Sequence, residues 1–246
     1  MPGHNGAVAV VTGGSRGIGA AIARRLAQDG THVAVTYAKS KDRADAVVGS
    51  ITAHGVRGLA IQADSATPDE VAVAVDRVAG EFGRLDVLVN NAGIFPFGPF
   101  DEVSVAEVDR ALAIHARAAF VASQAAVRHM GDGARIISIG SNLAERVPGP
   151  GVALYAMSKS ALRGLTKGLA RDLGPRGIAV NLVQPGSTDT EMNPADGPTA
   201  DEQRAQSAFG RYADAADIAD LVAFLAGPGG RSITGAVLTV DTGANA

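Results

Sequence analysis

The sequence predicts an α/β fold: one doubly wound domain whose mainly parallel, seven-stranded sheet carries helices on both faces. Three observations predict it. Seven short runs rich in Val, Ile and Ala, at 7–11, 32–36, 58–62, 86–89, 134–139, 179–183 and 236–240, carry apolar residues on both faces, as suits strands buried between two layers. Longer stretches with helical spacing separate most of them, which implies a mainly parallel sheet, and right-handed crossovers make the doubly wound arrangement the natural solution. No linker, internal repeat or composition break divides this alternation, so residues 1–246 read as a single domain.

Taken in order, the first run passes through Thr12-Gly13-Gly14-Ser15-Arg16-Gly17-Ile18-Gly19 into an alanine-rich helix that stops near Gly30. Val71, Val75, Val78 and Phe82 keep helical spacing after Pro68. Val105, Val108, Leu112, His115 and Ala119 recur at three- and four-residue intervals, which predicts a long helix with His115 facing inward. Another helix runs from about Tyr155 to Leu173 and stops at Gly174-Pro175. The least regular stretch, 187–210, holds Pro194, Gly197 and Pro198 among acids and small polar residues. An excursion of that kind is either a solvated loop or a lid; 187–212 is read as a substrate lid within the domain.

Composition excludes several functions. Glycine supplies 31 of 246 residues, about 13% against a usual ~7%, yet without a collagen-like period. At 46% hydrophobic the chain is not disordered. The absence of cysteine removes disulfides, thiolate metal sites, iron–sulfur clusters and thiol catalysis. A net charge of −3 with no basic run argues against nucleic acid or an anionic membrane as partner. No run of uncharged apolar residues is long enough to span a bilayer. Residues 1–6 lack the features of a signal peptide, so a cytoplasmic protein is expected.

The glycine cluster sits between a strand and a helix, where a tight turn lets backbone N–H groups approach a diphosphate and the helix adds its positive end. Gly13, Ser15, Arg16, Gly17, Ile18 and Gly19 are the expected contacts. Nicotinamide sites selective for the unphosphorylated ribose usually place an acid about 20 residues later. Here the second strand leads into Tyr37-Ala38-Lys39-Ser40, and no Asp or Glu lies between Asp29 and Asp42. Arg16 and Lys39 suit a 2′-phosphate through charge-assisted hydrogen bonds. The expected cofactor is therefore NADP(H).

Tyr155 and Lys159 lie four apart on a helix and share one face. A phenol titrating near pH 10 is a poor acid–base group at neutral pH, and a fixed cation beside it favours the phenolate. Alone, such a pair is commonplace.

In context it is not. The glycine loop, Asn90-Asn91-Ala92-Gly93 after the fourth strand, Ser141 after the fifth, Tyr155 with Lys159, and Pro185-Gly186 after the sixth occur in this order. Together they resemble the short-chain dehydrogenase/reductase family in its compact single-domain, Rossmann-like form, over essentially the whole chain. The likeness is greatest to bacterial 3-oxoacyl-thioester reductases and related ketone reductases. That resemblance implies that Tyr155 protonates a carbonyl oxygen, that Lys159 holds nicotinamide-ribose hydroxyls and lowers the phenol pKa, and that Ser141 binds the same oxygen, with Ser138 its nearby competitor. It further implies adenine contacts at Asp64 and Ser65, ribose-side contacts at Asn91, Ala92 and Gly93, and nicotinamide or phosphate contacts at Pro185, Gly186, Thr188 and Thr190. Asp64 has an alternative as a helix cap and Pro185-Gly186 as a plain turn. A homotetramer with contacts through the helices around His115 and Tyr155 and the C-terminal strand is also implied.

Two positions depart from the family. His115 stands where relatives carry an Asn that supports a proton-relaying water. Its ring could hold that water through the backbone carbonyl, fill space, or shuttle protons, and it is carried as a catalytic position. Asp241-Thr242-Gly243 replaces the usual Asp-Gly-Gly, and Thr resists φ > 0. The pocket is expected to be apolar, with Phe95, Phe97, Val147 and Met192 as contacts. Acids at Glu191, Asp196, Asp201 and Glu202 favour a small free ketone over a carrier-bound 3-oxoacyl thioester. The rival from another class is a catalytically idle NADP(H)-binding sensor or scaffold.

Overall fold

Strand alternation sorts the core into two layers. In the computed structural model, which describes residues 6–246, Ala9, Val11, Val33, Val35, Val87 and Val89 point to one face of the sheet, while Val8, Val10, Ala34 and Leu88 point to the other. Expectations that fall on residues 1–5 lie outside the described residues.

The strands are β1 (Val8–Val11), β2 (His32–Tyr37), β3 (Gly58–Gln62), β4 (Leu85–Asn90), β5 (Met130–Ile139), β6 (Ala179–Pro185) and, at the end of the chain, β9 (Val237–Val240). They form one sheet in the order β3-β2-β1-β4-β5-β6-β9, and every neighbouring pair is parallel. Strand order reverses between β1 and β4, so a crevice opens there at the carboxyl ends of the strands.

Helix α1 (Gly17–Gln28) and α8 (Ala215–Ala226) cover the first face through Ile22, Leu26, Ile218, Val222 and Leu225. The opposite face is covered by α3 (Pro68–Phe82), with Val71, Val75 and Val78, and by α5 (Ala118–Ala126), with Ala122 and Ala126. Helix α2 (Lys41–Thr52) follows β2, and α6 (Ala153–Leu173) carries Tyr155 on its first turn. The alanines of α1 and α5 let these helices lie close to the sheet.

Two regions differ from the sequence expectation. The long helix around His115 is divided into α4 (Val105–Leu112), a π-helical turn (Ala113–Arg117) and α5. Such a turn inserts one residue per cycle and rotates the side chains that follow it. His115 is inward and 2% exposed, as expected, but Val105 is 76% exposed; the inward stripe begins only beyond it. The 187–212 stretch is also more ordered than its composition suggests. It holds β7 (Thr188–Asp189), paired in parallel with β8 (Ala213–Asp214), and the short helix α7 (Ala200–Ala205). Gln203 ties it together through Ser187, Asn193 and Thr199.

Candidate active site

The glycine loop and the segments after β2, β3, β4, β5 and β6 leave the sheet at the strands' carboxyl ends, and α6 brings Tyr155 and Lys159 toward them. At the end of β1 the glycines are there for space. A Cβ at Gly14 would lie 2.6 Å from Val35, one at Gly13 2.9 Å from the Ala92 backbone, and one at Gly19 2.4 Å from the Asn91 amide. Gly13 and Gly17 also have positive φ, at 64° and 53°. Thr12 Oγ1 accepts hydrogen bonds from the Asn91 and Ala92 N–H groups, and the Asn91 side chain donates to the Thr12 and Gly13 carbonyls. The β1 and β4 ends are thus sewn together, and Thr36 holds the turn from β2 through Gly13 N–H. The N-cap of α1, Arg16, makes no side-chain cap bond, so the first-turn donors of the helix stay free for an anion. Thr190 packs over this end, 3.4 Å from where a Gly17 Cβ would be.

Tyr37, the last residue of β2, is buried, and Ala38, Lys39 and Ser40 beyond it are exposed. Lys41 pairs with Asp45 at 2.5 Å, whereas Arg16 and Lys39 form no ion pair or side-chain hydrogen bond among the described residues. Ser40 caps α2 without a side-chain bond. A phosphate could therefore draw on two uncommitted cations and a hydroxyl. After β3, Asp64 accepts from Ala66 N–H and makes a local turn; the N-cap of α3 is Thr67, so Asp64 is not the helix cap. Ser65 lies beside Thr12, Ala92 and His115 around a small internal cavity.

The reacting groups meet between β5, α6 and the β4 end. Ser138 is directed into the core, near the Asn90 amide at 3.5 Å, which removes it from the cleft. Ser141 instead follows β5; its Oγ accepts Leu143 N–H at 3.2 Å, and it is near enough to the Tyr155 phenol to act on its titration. Burial pushes that phenol above its ordinary value, and Ser141 pulls it partly back. The expected depression by Lys159 is absent from this balance for a geometric reason. Lys159 Nζ donates to the Ile139 carbonyl at 2.9 Å and lies 6.0 Å from the Tyr155 ring centre. Burial lowers the ammonium itself to about 8. Gly93 brings the β4 loop against this lysine, since a Cβ there would be 3.4 Å from both Lys159 Nζ and His115 Nε2.

His115 has a defined protonation state. Its Nε2 accepts Ile94 N–H at 3.0 Å and therefore carries no proton. The proton sits on Nδ1 and is donated to Ser158 Oγ at 2.8 Å, and Ser158 donates in turn to the Tyr155 carbonyl at 2.9 Å. Burial and the Lys159 charge lower its pKa to about 3. Both nitrogens are engaged and the ring is neutral, so the geometry favours positioning over proton transfer. Ser158 was not singled out from the sequence; its three-residue spacing from Tyr155 was the one available signal.

Pro185 ends β6, and Gly186, the next residue, packs against Asp241, 2.5 Å from where its Cβ would be. Thr188 is buried and donates to Gly186 O. Of the expected pocket residues, Phe95 stands edge-on to Tyr155 at 4.8 Å and stacks with Phe97 at 6.1 Å. Phe95, Phe97, Val147 and Met192 are all exposed.

Known proteins are similar to this chain over nearly its whole length. A family profile described as Enoyl-(Acyl carrier protein) reductase matches residues 13–245. The chain is 45% identical to the "Cyclic-di-GMP-binding biofilm dispersal mediator protein" of Escherichia coli, over 98% of each chain. It is 42% identical to a 3-oxoacyl-[acyl-carrier-protein] reductase of Staphylococcus aureus, over 96% of each. Among solved structures, a short chain dehydrogenase from Burkholderia cenocepacia in complex with NADP superposes with a TM-score of 0.98 at 62% identity, over 99% of each chain.

Proposed function

The chain belongs to the short-chain dehydrogenase/reductase family, and from that premise we propose that it is an NADP(H)-dependent oxidoreductase interconverting a ketone and its alcohol. The observation that carries this reading is the meeting of the Ser141 hydroxyl, the Tyr155 phenol and the Lys159 ammonium beside the glycine cradle. The cradle that a Cβ would fill, the free helix end and the uncommitted Arg16 and Lys39 fit a dinucleotide with a 2′-phosphate. The close structural relative holds NADP.

In this reading Gly13, Ser15, Arg16, Gly17, Ile18 and Gly19 take the diphosphate side. Tyr37, Ala38, Lys39 and Ser40 take the phosphorylated ribose, Asp64 and Ser65 the adenine, and Asn91, Ala92, Gly93, Pro185, Gly186, Thr188 and Thr190 the remainder. When bound, the nicotinamide supplies or takes up the hydride. The chain's own residues handle orientation and protons. Ser141, already fixed by Leu143 N–H, donates to the carbonyl oxygen and orients it. Tyr155 O–H delivers the proton to that oxygen, and burial keeps the phenol protonated until the charge on oxygen develops. Lys159 keeps its charge below about pH 8 and, held by the Ile139 carbonyl beside Gly93, serves the nicotinamide-ribose hydroxyls. Reduction is therefore expected to weaken as pH rises through that value.

A homotetramer fits this family, and exposed apolar side chains support it: Val105 on α4, Phe120 on α5, Met157 on α6 and Phe224 on α8. A second reading, an idle nucleotide-binding sensor, is favoured by the name of the 45%-identical relative. A panel of free ketones, 3-oxoacyl thioesters and alcohols, run with both cofactors and followed by nicotinamide absorbance, separates the readings. Free ketones should oxidise NADPH, with NADH at least about tenfold less efficient because the charge-assisted bonds are lost. No turnover of any compound, together with calorimetric binding of cyclic-di-GMP, would favour the sensor.

A further inference from the structure

Thr242 is the one non-glycine residue with positive φ among the described residues, at 55°. For a β-branched side chain this backbone is strained, and it persists only where surrounding bonds hold it. Those bonds all reach one place. Ser207 Oγ lies 2.6 Å from Thr242 Oγ1, Thr242 Oγ1 lies 3.1 Å from the Arg211 carbonyl, and Phe209 N–H donates to the Thr242 carbonyl at 3.1 Å. Alternate residues 207, 209 and 211 of the 187–212 excursion are therefore fastened to one threonine. With one proton on each hydroxyl, Ser207 donates to the Thr242 hydroxyl or, at 3.0 Å, to its carbonyl, and Thr242 shares its proton between the Arg211 carbonyl and the Asp241 carbonyl, 2.6 Å away.

The same C-terminal turn grips the other wall of the cleft. Asp241 accepts Gly243 and Asn245 N–H with its two oxygens and packs on Gly186. The Asn245 side chain donates to the Asn142 carbonyl, next to Ser141, and accepts from the Asn142 amide. Arg146 donates to the Ala244 carbonyl. Residues 241–246 thus join the excursion to the loop that carries Ser141. Glycine at 242 would adopt the same φ without strain but could supply none of the hydroxyl bonds.

We propose that Thr242 is a positioning residue: its hydroxyl clamps the 207–211 segment over the cleft, and its strained backbone is the cost of that clamp. This rests on reading the excursion as the lid of a carbonyl-reducing site. The test compares Thr242→Gly and Thr242→Ser. Thr242→Gly relieves the positive-φ strain but gives up the hydroxyl bonds and adds freedom to the unfolded chain, so these effects oppose one another and the thermal midpoint should change little.

Hydrogen exchange of peptides covering 207–211 should speed up in Thr242→Gly and match wild type in Thr242→Ser. KM for the ketone should rise about three- to tenfold in the glycine variant, as loss of one or two hydrogen bonds implies, with kcat little changed. Identical exchange in all three proteins would overturn the clamp. Faster exchange with KM unchanged would overturn the positioning role. Exchange is read without substrate, so its failure is distinct from a failure of the carbonyl-reducing reading.

Discussion

At the scale of single residues, the decisive contrast lies between two buried bases. Lys159 keeps a proton near neutral pH with one carbonyl partner, and His115 cannot, because burial and that same ammonium hold its pKa near 3. A neutral ring bonded at both nitrogens braces the Ile94 loop against the turn that presents Tyr155. His115→Asn shortens the brace and leaves Ile94 N–H unpaired. We expect a stability loss of about 1–3 kcal/mol from chemical denaturation, the usual range for a buried donor without a partner. The sign of the pH effect follows from the lowered pKa. The unfolded chain protonates here below about pH 6.5 while the folded one stays neutral to about 3, so this site costs stability as pH falls through that window. In His115→Asn that acid sensitivity should shrink, while the pH–rate profile around neutrality keeps its shape. A neutral-range inflection lost in the variant would show that the ring titrates during turnover.

At the scale of elements, glycine and alanine placement explains much of what was legible. The strand–glycine–helix junction could be read because each of Gly13, Gly14 and Gly19 meets a neighbour that leaves no room for a Cβ. The π-helical turn at Ala113–Arg117 could not, since a single inserted residue leaves the three- and four-residue pattern nearly intact. For the same reason the pattern placed His115 correctly and Val105 wrongly. The order within 187–212 was hidden too: Gln203 and Thr242 act through partners far away in sequence. Helices α4, α5 and α6 bear apolar side chains that the described residues leave half or more exposed, with Phe120 52% exposed. Association through these faces should give light scattering at four times the 24.8 kDa chain mass, and Phe120→Glu should lower it. A monomer in wild type would remove the role given to these faces.

At the scale of the whole molecule, topology gathers residues that are far apart in sequence. All six segments from the glycine loop to Thr190 leave strands of one parallel sheet at the same edge, and the reversal between β1 and β4 opens the crevice they line. The ordered motifs made this assembly readable in advance. Side-chain electrostatics was less readable, because the phenol's balance depends on where Lys159 points and how deeply Tyr155 is buried. The account stands on Tyr155 as the proton donor beside a bound nicotinamide, and Tyr155→Phe tests this most directly. NADPH affinity by calorimetry should stay within about twofold, while kcat for ketone reduction falls about 10²–10⁴-fold, the usual share of a general acid. Turnover at the wild-type rate in Tyr155→Phe, with NADPH still bound, would contradict it.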